Sequence, residues 1–113
     1  MTVAVVRGRL SGHLTTTSLQ EETTRLDTLL PRQGGFLSLD CLEMTAYDPD
    51  ARSAFVGWAR HRLQGGSKVA IVTQKPLWSM VIGAMALVSG VKMRAFSSVD
   101  EGGVWLALRE EKR

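Results

Sequence analysis

The chain's single tyrosine lies in Tyr47-Asp48-Pro49-Asp50, where a phenol and two carboxylates fall within four residues. Such a cluster can be a chemical site, a docking surface, or the start signal of a helix. A general base would need a partner that poises it, and neither histidine offers one. His13 sits beside a glycine in an apparent turn, and His61 is crowded by Arg60 and Arg62. Cys41 has no histidine near it in sequence and reads as a small buried core residue. Asp40, Glu43, Asp48 and Asp50 show no ligand spacing of the H-x-x-x-H or D-x-D-x-D-G kind. Gly34-Gly35, Gly65-Gly66 and Gly102-Gly103 are turn pairs, not loops that cradle phosphate. The expectation is a protein that is not an enzyme, with no catalytic residues, no cofactor and no metal.

The cluster has a structural explanation as well. Asp48 suits an N-cap, with its carboxylate accepting from the free amides of the first turn. Pro49 suits the first helical position, and Asp50 favours the positive end of the helix dipole. Only Tyr47 has no role in that account. The helix so begun runs to about Leu63, with Ala51, Phe55, Trp58, Ala59 and Leu63 inward and Arg52, Arg60 and Arg62 outward.

The elements that would hold this cluster alternate. Val3 to Leu10 places Val6, Gly8 and Leu10 on one side and Arg7 and Arg9 on the other, a strand pattern, followed by a turn at Ser11-Gly12-His13. From about Thr17 to Leu30 the period becomes helical, with Leu19, Thr23, Leu26 and Leu30 on one face. Glu21 and Arg25 are spaced for a helical ion pair of about 0.3 kcal/mol. After a loop at 32–35 a second strand, Phe36 to Cys41, sets Leu37, Leu39 and Cys41 against Phe36, Ser38 and Asp40. Leu42 to Ala46 extends it or bridges. KVAIVT, at Lys68 to Thr73, is an apolar run of strand length, as expected of a strand covered on both faces. A third helix spans Pro76 to Ser89 and is closed by Gly90. An edge strand follows at Val91 to Phe96, then a last helix from a Ser98/Glu101 capping box to Leu108. Gly102-Gly103 counts against that last helix and leaves a strand VWLAL as the alternative. Strands alternating with helices give an α/β layered fold with a mostly parallel sheet of four to five strands and about four helices.

The 113 residues suffice for one domain with its own core, and 44% hydrophobic residues exclude a disordered chain. A formal charge of +3, with Lys and Arg spread along the chain, gives no stripe for nucleic acid. The charged tail REEKR mixes signs and reads as solvated. One cysteine permits no internal disulfide, and MTVAVVRGRL lacks a signal-peptide layout, so a cytoplasmic location is expected. The longest apolar stretch, PLWSMVIGAMALVSG, has 15 residues, short of the roughly 20 that span a membrane.

The order and spacing of VAVVRGRLSGHL, FLSLDCLEMTAYDPDARSAF, GGSKVAIVT and KPLWSMVIGAMALVSGVKMRAFSSVDEG resemble a STAS domain, in its SpoIIAA-like branch of anti-sigma-factor antagonists. The likeness covers nearly the whole chain as a single domain. It implies a bacterial signalling regulator that binds a kinase-like or other regulatory protein. In the antagonists a serine of a D-S-S-G motif is phosphorylated. Aligned from Asp40, that Ser-Ser falls on Asp48 and Pro49, with Asp50 in place of the glycine. The phospho-acceptor serine is thus missing, and a carboxylate at Asp48 or Asp50 imitates phosphate only in part. The resemblance implies partner docking through Tyr47, Asp48, Pro49, Asp50 and Arg52.

The third helix is apolar almost all round. Leu77, Val81, Ala84 and Val88 form one stripe, Trp78, Ile82, Met85 and Ser89 a second, and Met80 with Leu87 a third. A helix lying on a sheet hides about one stripe. Neighbouring helices can cover the rest. Otherwise the stripe of Trp78, Ile82, Met85 and Ser89 forms a homodimer interface or a cleft for an apolar small molecule or lipid. Lys75, just before this helix, would suit a solvated loop or the anionic head of such a ligand.

Overall fold

The computed structural model describes residues 4–32 and 34–108. Val3, Gln33 and the tail REEKR lie outside them. Eight elements alternate: β1 (Val5–Leu14), α1 (Thr16–Leu29), β2 (Phe36–Tyr47), α2 (Pro49–Arg62), β3 (Lys68–Val72), α3 (Pro76–Ser89), β4 (Lys92–Phe96) and α4 (Val99–Ala107). The four strands form one parallel sheet in the order β1-β2-β3-β4. Successive crossovers of one hand, all stepping the same way, lay α1, α2 and α3 side by side on one face. Their inward residues Leu19, Leu26, Phe55, Ala59 and Ile82 form the main core with Leu37, Leu39, Val69, Ile71 and Met93 of the sheet.

The opposite face carries α4 alone, packed on β2, β3 and β4. Gly102 makes this approach possible: a Cβ there would stand 3.0 Å from the Ala70 Cβ. The two glycines that argue against a helix are inside one, and the close contact explains the first of them. Ser98 caps α4 by accepting from the Glu101 amide at 3.2 Å. Glu101 takes the Ser97 and Ser98 hydroxyls instead of reaching back to the cap amide, so the box is half formed. Lys68, fully within the fold on β3, sends its Nζ across to donate to the carbonyls of Trp105 (3.3 Å) and Leu108 (2.9 Å) at the end of α4.

Two expectations fail at the N-terminal edge. Ser11-Gly12-His13 is not a turn: β1 runs on to Leu14, with Gly12 at φ +66°, a backbone state open to glycine at little cost. The helical ion pair is Glu22–Arg25, not Glu21–Arg25. Glu22 wins because it faces the sheet edge, where its carboxylate also accepts the Arg9 amide at 2.7 Å. Arg25 in turn donates to the Arg7 carbonyl at 2.9 Å. Together the two side chains occupy backbone groups that an edge strand otherwise leaves open.

The Arg25 guanidinium, with help from the Arg9 amide, holds the Glu22 carboxyl below its ordinary value near 4.5. A depressed folded-state pKa contributes stability that is complete above the unfolded value and is lost as pH falls through the folded one. Glu22→Gln should therefore lower the urea midpoint at neutral pH and flatten its decline below pH 4.5. A variant whose acid profile matches that of the parent would contradict this role.

Candidate functional site

β1 and β2 outlast their neighbours. The β2–β3 pairing stops at Asp40↔Val72, whereas β1 and β2 continue together to Leu14↔Tyr47. Along this ribbon β2 gains one residue between Asp40 and Glu43 and another between Met44 and Ala46. Each bulge resets the alternation of side chains. Met44 is thereby buried in the main core and Tyr47 packs against it, on the side of Cys41.

Between the ribbon and helices α2 and α3 lies a cavity of about 60 Å³. Leu10, Leu14, Met44 and Tyr47 of the ribbon, Phe55 and Arg52 of α2, and Trp78, Val81, Ile82 and Met85 of α3 are among its walls. It stands at the carboxyl end of the strands, where open α/β sheets place their sites. The Tyr47 and Trp78 rings meet edge to face, with centroids 5.5 Å apart and planes at 68°. Arg52 lies over the Tyr47 ring at 6.0 Å and Lys75 over the Trp78 ring at 5.4 Å. Two stretches singled out separately in the sequence thus share one site, because α3 returns over the end of β2. Tyr47, which the cap account left without a role, joins them.

Asp48 is the N-cap of α2 but makes no side-chain cap. Its Oδ1 pairs instead with His13 Nε2 at 2.6 Å, since the longer β1 brings His13 alongside. The expected carboxylate cap is corrected accordingly, and the first turn keeps Pro49 and the favourable Asp50. Pro49, Asp50 and Arg52 are exposed, and Asp48 is half-buried. Of the other α2 arginines, Arg60 donates to the Val88 carbonyl at the end of α3. Arg62 is half-buried, not exposed, and binds Asp27 (3.1 Å) and the Pro31 carbonyl (2.7 Å) at the end of α1. These cations satisfy the last carbonyls of both neighbouring helices.

The stripe assigned to an interface or apolar ligand divides. Trp78, Ile82 and Met85 line the cavity. Ser89 does not: it is buried and ties the helix end, accepting from the Val91 amide at 3.1 Å. Ile82 is buried too, so neither Ile82 nor Ser89 offers surface to a second copy. The outward stripe is Leu77, Met80 and Leu87, exposed by 76%, 76% and 86%. A homodimer built on α3 would have to meet these residues. Leu10, Leu14, Met44 and Phe55 escaped the sequence reading as site residues because a cavity wall and a core look alike in hydropathy.

Cys41 also borders the cavity. Burial, with the adjacent Asp40 carboxylate adding to it, pushes its thiol up to about 12, so it stays protonated and is no nucleophile at neutral pH. Among the described residues no group of three or more His, Cys, Asp or Glu could hold a metal ion, and no helix is long and apolar enough to cross a membrane.

The topology decides the comparison with known proteins. A crystal structure of an uncharacterised protein of the DUF3478 family from Shewanella loihica, described as having a SpoIIAA-like fold, superposes with a TM-score of 0.70 at 16% identity, over 88% of this chain and 82% of that one. The fold is SpoIIAA-like. No family model matches the chain, and no curated protein matches its sequence. In this fold Tyr47 ends β2, Asp48 joins it to α2, and Pro49 and Asp50 open that helix.

Proposed function

We propose that this chain is a non-enzymatic protein-interaction module, a bacterial cytoplasmic signalling regulator without the usual phospho-acceptor serine. It docks a partner protein through Tyr47 to Asp50 and Arg52. The observation that carries this reading is the exposed rim of Pro49, Asp50 and Arg52 at the carboxyl end of the sheet, built on a helix start and braced from behind. The His13–Asp48 pair and the Tyr47–Trp78 contact fix the rim before any partner arrives, which lowers the ordering cost of binding. Docking with both an acid and a base on display favours a partner surface of mixed charge.

Asp50 and Arg52 are exposed and make no ion pair among the described residues, so reversing their charge breaks no salt bridge, although Arg52→Glu gives up the contact with the Tyr47 ring. Immobilised protein should retain a partner from native extract. Asp50→Lys and Arg52→Glu should each lose it, while Glu21→Lys, on the exposed side of α1, should keep it. Identical recovery with all four proteins would sink the proposal.

The cavity favours a second use of the same end of the sheet, namely reception of the apolar part of a small molecule between the ribbon and α3. Its walls are almost wholly apolar, and it is partly open to solvent.

A further inference from the structure

We propose that the outer face of α3 rests on an anionic lipid bilayer, with Leu77, Met80 and Leu87 set into its surface and Arg52, Arg60 and Lys75 against its headgroups. The proposal goes beyond both readings above and depends on neither. Its first ground is the apolar surface. Leu77, Met80, Leu87 and Val88 are large, exposed and apolar, and at the helical period they share one side of α3 with exposed Ala84. No polar side chain of α3 falls within that arc. The helix has 14 residues and is thus about 21 Å long.

The second ground is charge. Between Ala51 and Val99 the chain has seven of its fourteen Lys and Arg and none of its eleven Asp and Glu. Asp50, at the start of α2, bounds this basic tract in sequence. Lys75 is exposed at the start of α3. Arg52 and Arg60 are exposed too, and line the open groove between α2 and α3 together with Met80, Ala84 and Val88. None of the three cations forms an ion pair among the described residues. An apolar ridge bordered by cations matches a surface that is oily inside and negative outside.

Other occupants fit this face less well. A two-fold contact through α3 brings the cations of one copy toward those of the other, and the tract supplies no acid to answer them. A protein partner adds hydrogen bonds to apolar contact, about one per 100–200 Å². The outer arc of α3 offers no side-chain donor or acceptor for them, and hydrocarbon asks for none. With 14 residues against the roughly 20 of a membrane span, α3 lies along the surface and does not cross it.

Sedimentation of the whole chain with vesicles tests this, using phosphatidylcholine alone and an equal mixture of phosphatidylcholine and phosphatidylglycerol. The expected result is binding to the mixture about tenfold or more tighter than to phosphatidylcholine, a difference that shrinks at about 0.5 M salt. Leu77→Ser/Met80→Ser/Leu87→Ser, at three exposed positions, should bind the mixture about tenfold or more weakly than the parent while circular dichroism reports an intact fold. Arg52→Gln/Lys75→Gln should weaken binding to the mixture about tenfold and leave binding to phosphatidylcholine unchanged. Vesicles left unbound at millimolar lipid would overturn the proposal. A triple-serine variant that sediments like the parent would overturn it too, since charge alone would then make the contact. A parent that light scattering finds dimeric, made monomeric by the three serines and indifferent to vesicles, would assign the face to a second copy. Loss of an extract partner by the same variant, again with vesicles unbound, would assign it to a protein.

Discussion

Lys68→Asp is expected to lower the unfolding free energy by about 3–5 kcal/mol, a large share of the about 5–15 kcal/mol that holds a domain together. Lys68 is 5% exposed, and its ammonium reaches the carbonyls of Trp105 and Leu108 while covering the Trp105 ring at 5.2 Å. It satisfies the negative end of α4 from β3, on the face of the sheet that α4 covers. An aspartate would set a second negative group against those carbonyls and is too short to reach water. Lys68→Met keeps the apolar stem and removes only the donor, so its cost should be about 1–2 kcal/mol. Urea midpoints followed by circular dichroism measure both. The loss in Lys68→Asp should shrink on acidification as the buried carboxyl takes a proton. An aspartate variant as stable as its parent would mean that the ammonium is not held at the helix end.

The adjacent glycines of α4 should respond in opposite directions. Gly103 faces open space, so Gly103→Ala gains the helical preference of alanine and should raise stability by about 1 kcal/mol. Gly102 lies against Ala70 and Phe96, and Gly102→Val forces the helix off the sheet at an expected cost of about 3 kcal/mol or more. Thermal melts of the two single variants decide the matter. Two shifts of the same sign would show that α4 does not press on β3 where it is placed.

Much of this architecture was legible in the residues. Alternation located β1, the first half of β2 and β4, the 3.6 period located α1 and α2, and the unbroken KVAIVT run marked the strand covered on both faces, while the last helix rested on a capping box with a strand VWLAL as the alternative. What stayed hidden depended on contacts between distant segments. Hydropathy sees β1 stop at Ser11 because that residue, Gly12 and His13 are polar or small, yet they pair with a bulged β2. An N-cap signal is local, so nothing at Asp48 announces that His13, thirty-five residues back, will take its carboxylate. The apolar helix α3 gave no inward direction, since all three stripes qualified. Burial chose Ile82 and Ser89, and left Leu77, Met80 and Leu87 outside. The site suffered the same limit. Its halves, Tyr47 with Arg52 and Trp78 with Met85, were each visible, but their meeting is a property of the crossover.

Because spatial order and chain order coincide in this sheet, no strand has to be wedged between two that are already joined. During synthesis each emerging strand–helix unit can add to the rim left by the one before, without breaking a ladder already made. The scheme leaves one debt until the end. The underside of β3, with Ala70, Val72 and the Lys68 stem, stays wet until the last helix leaves the ribosome and docks. A nascent chain halted before Val99 would carry a complete sheet with an oily patch on its bare side, a target for chaperones and proteases.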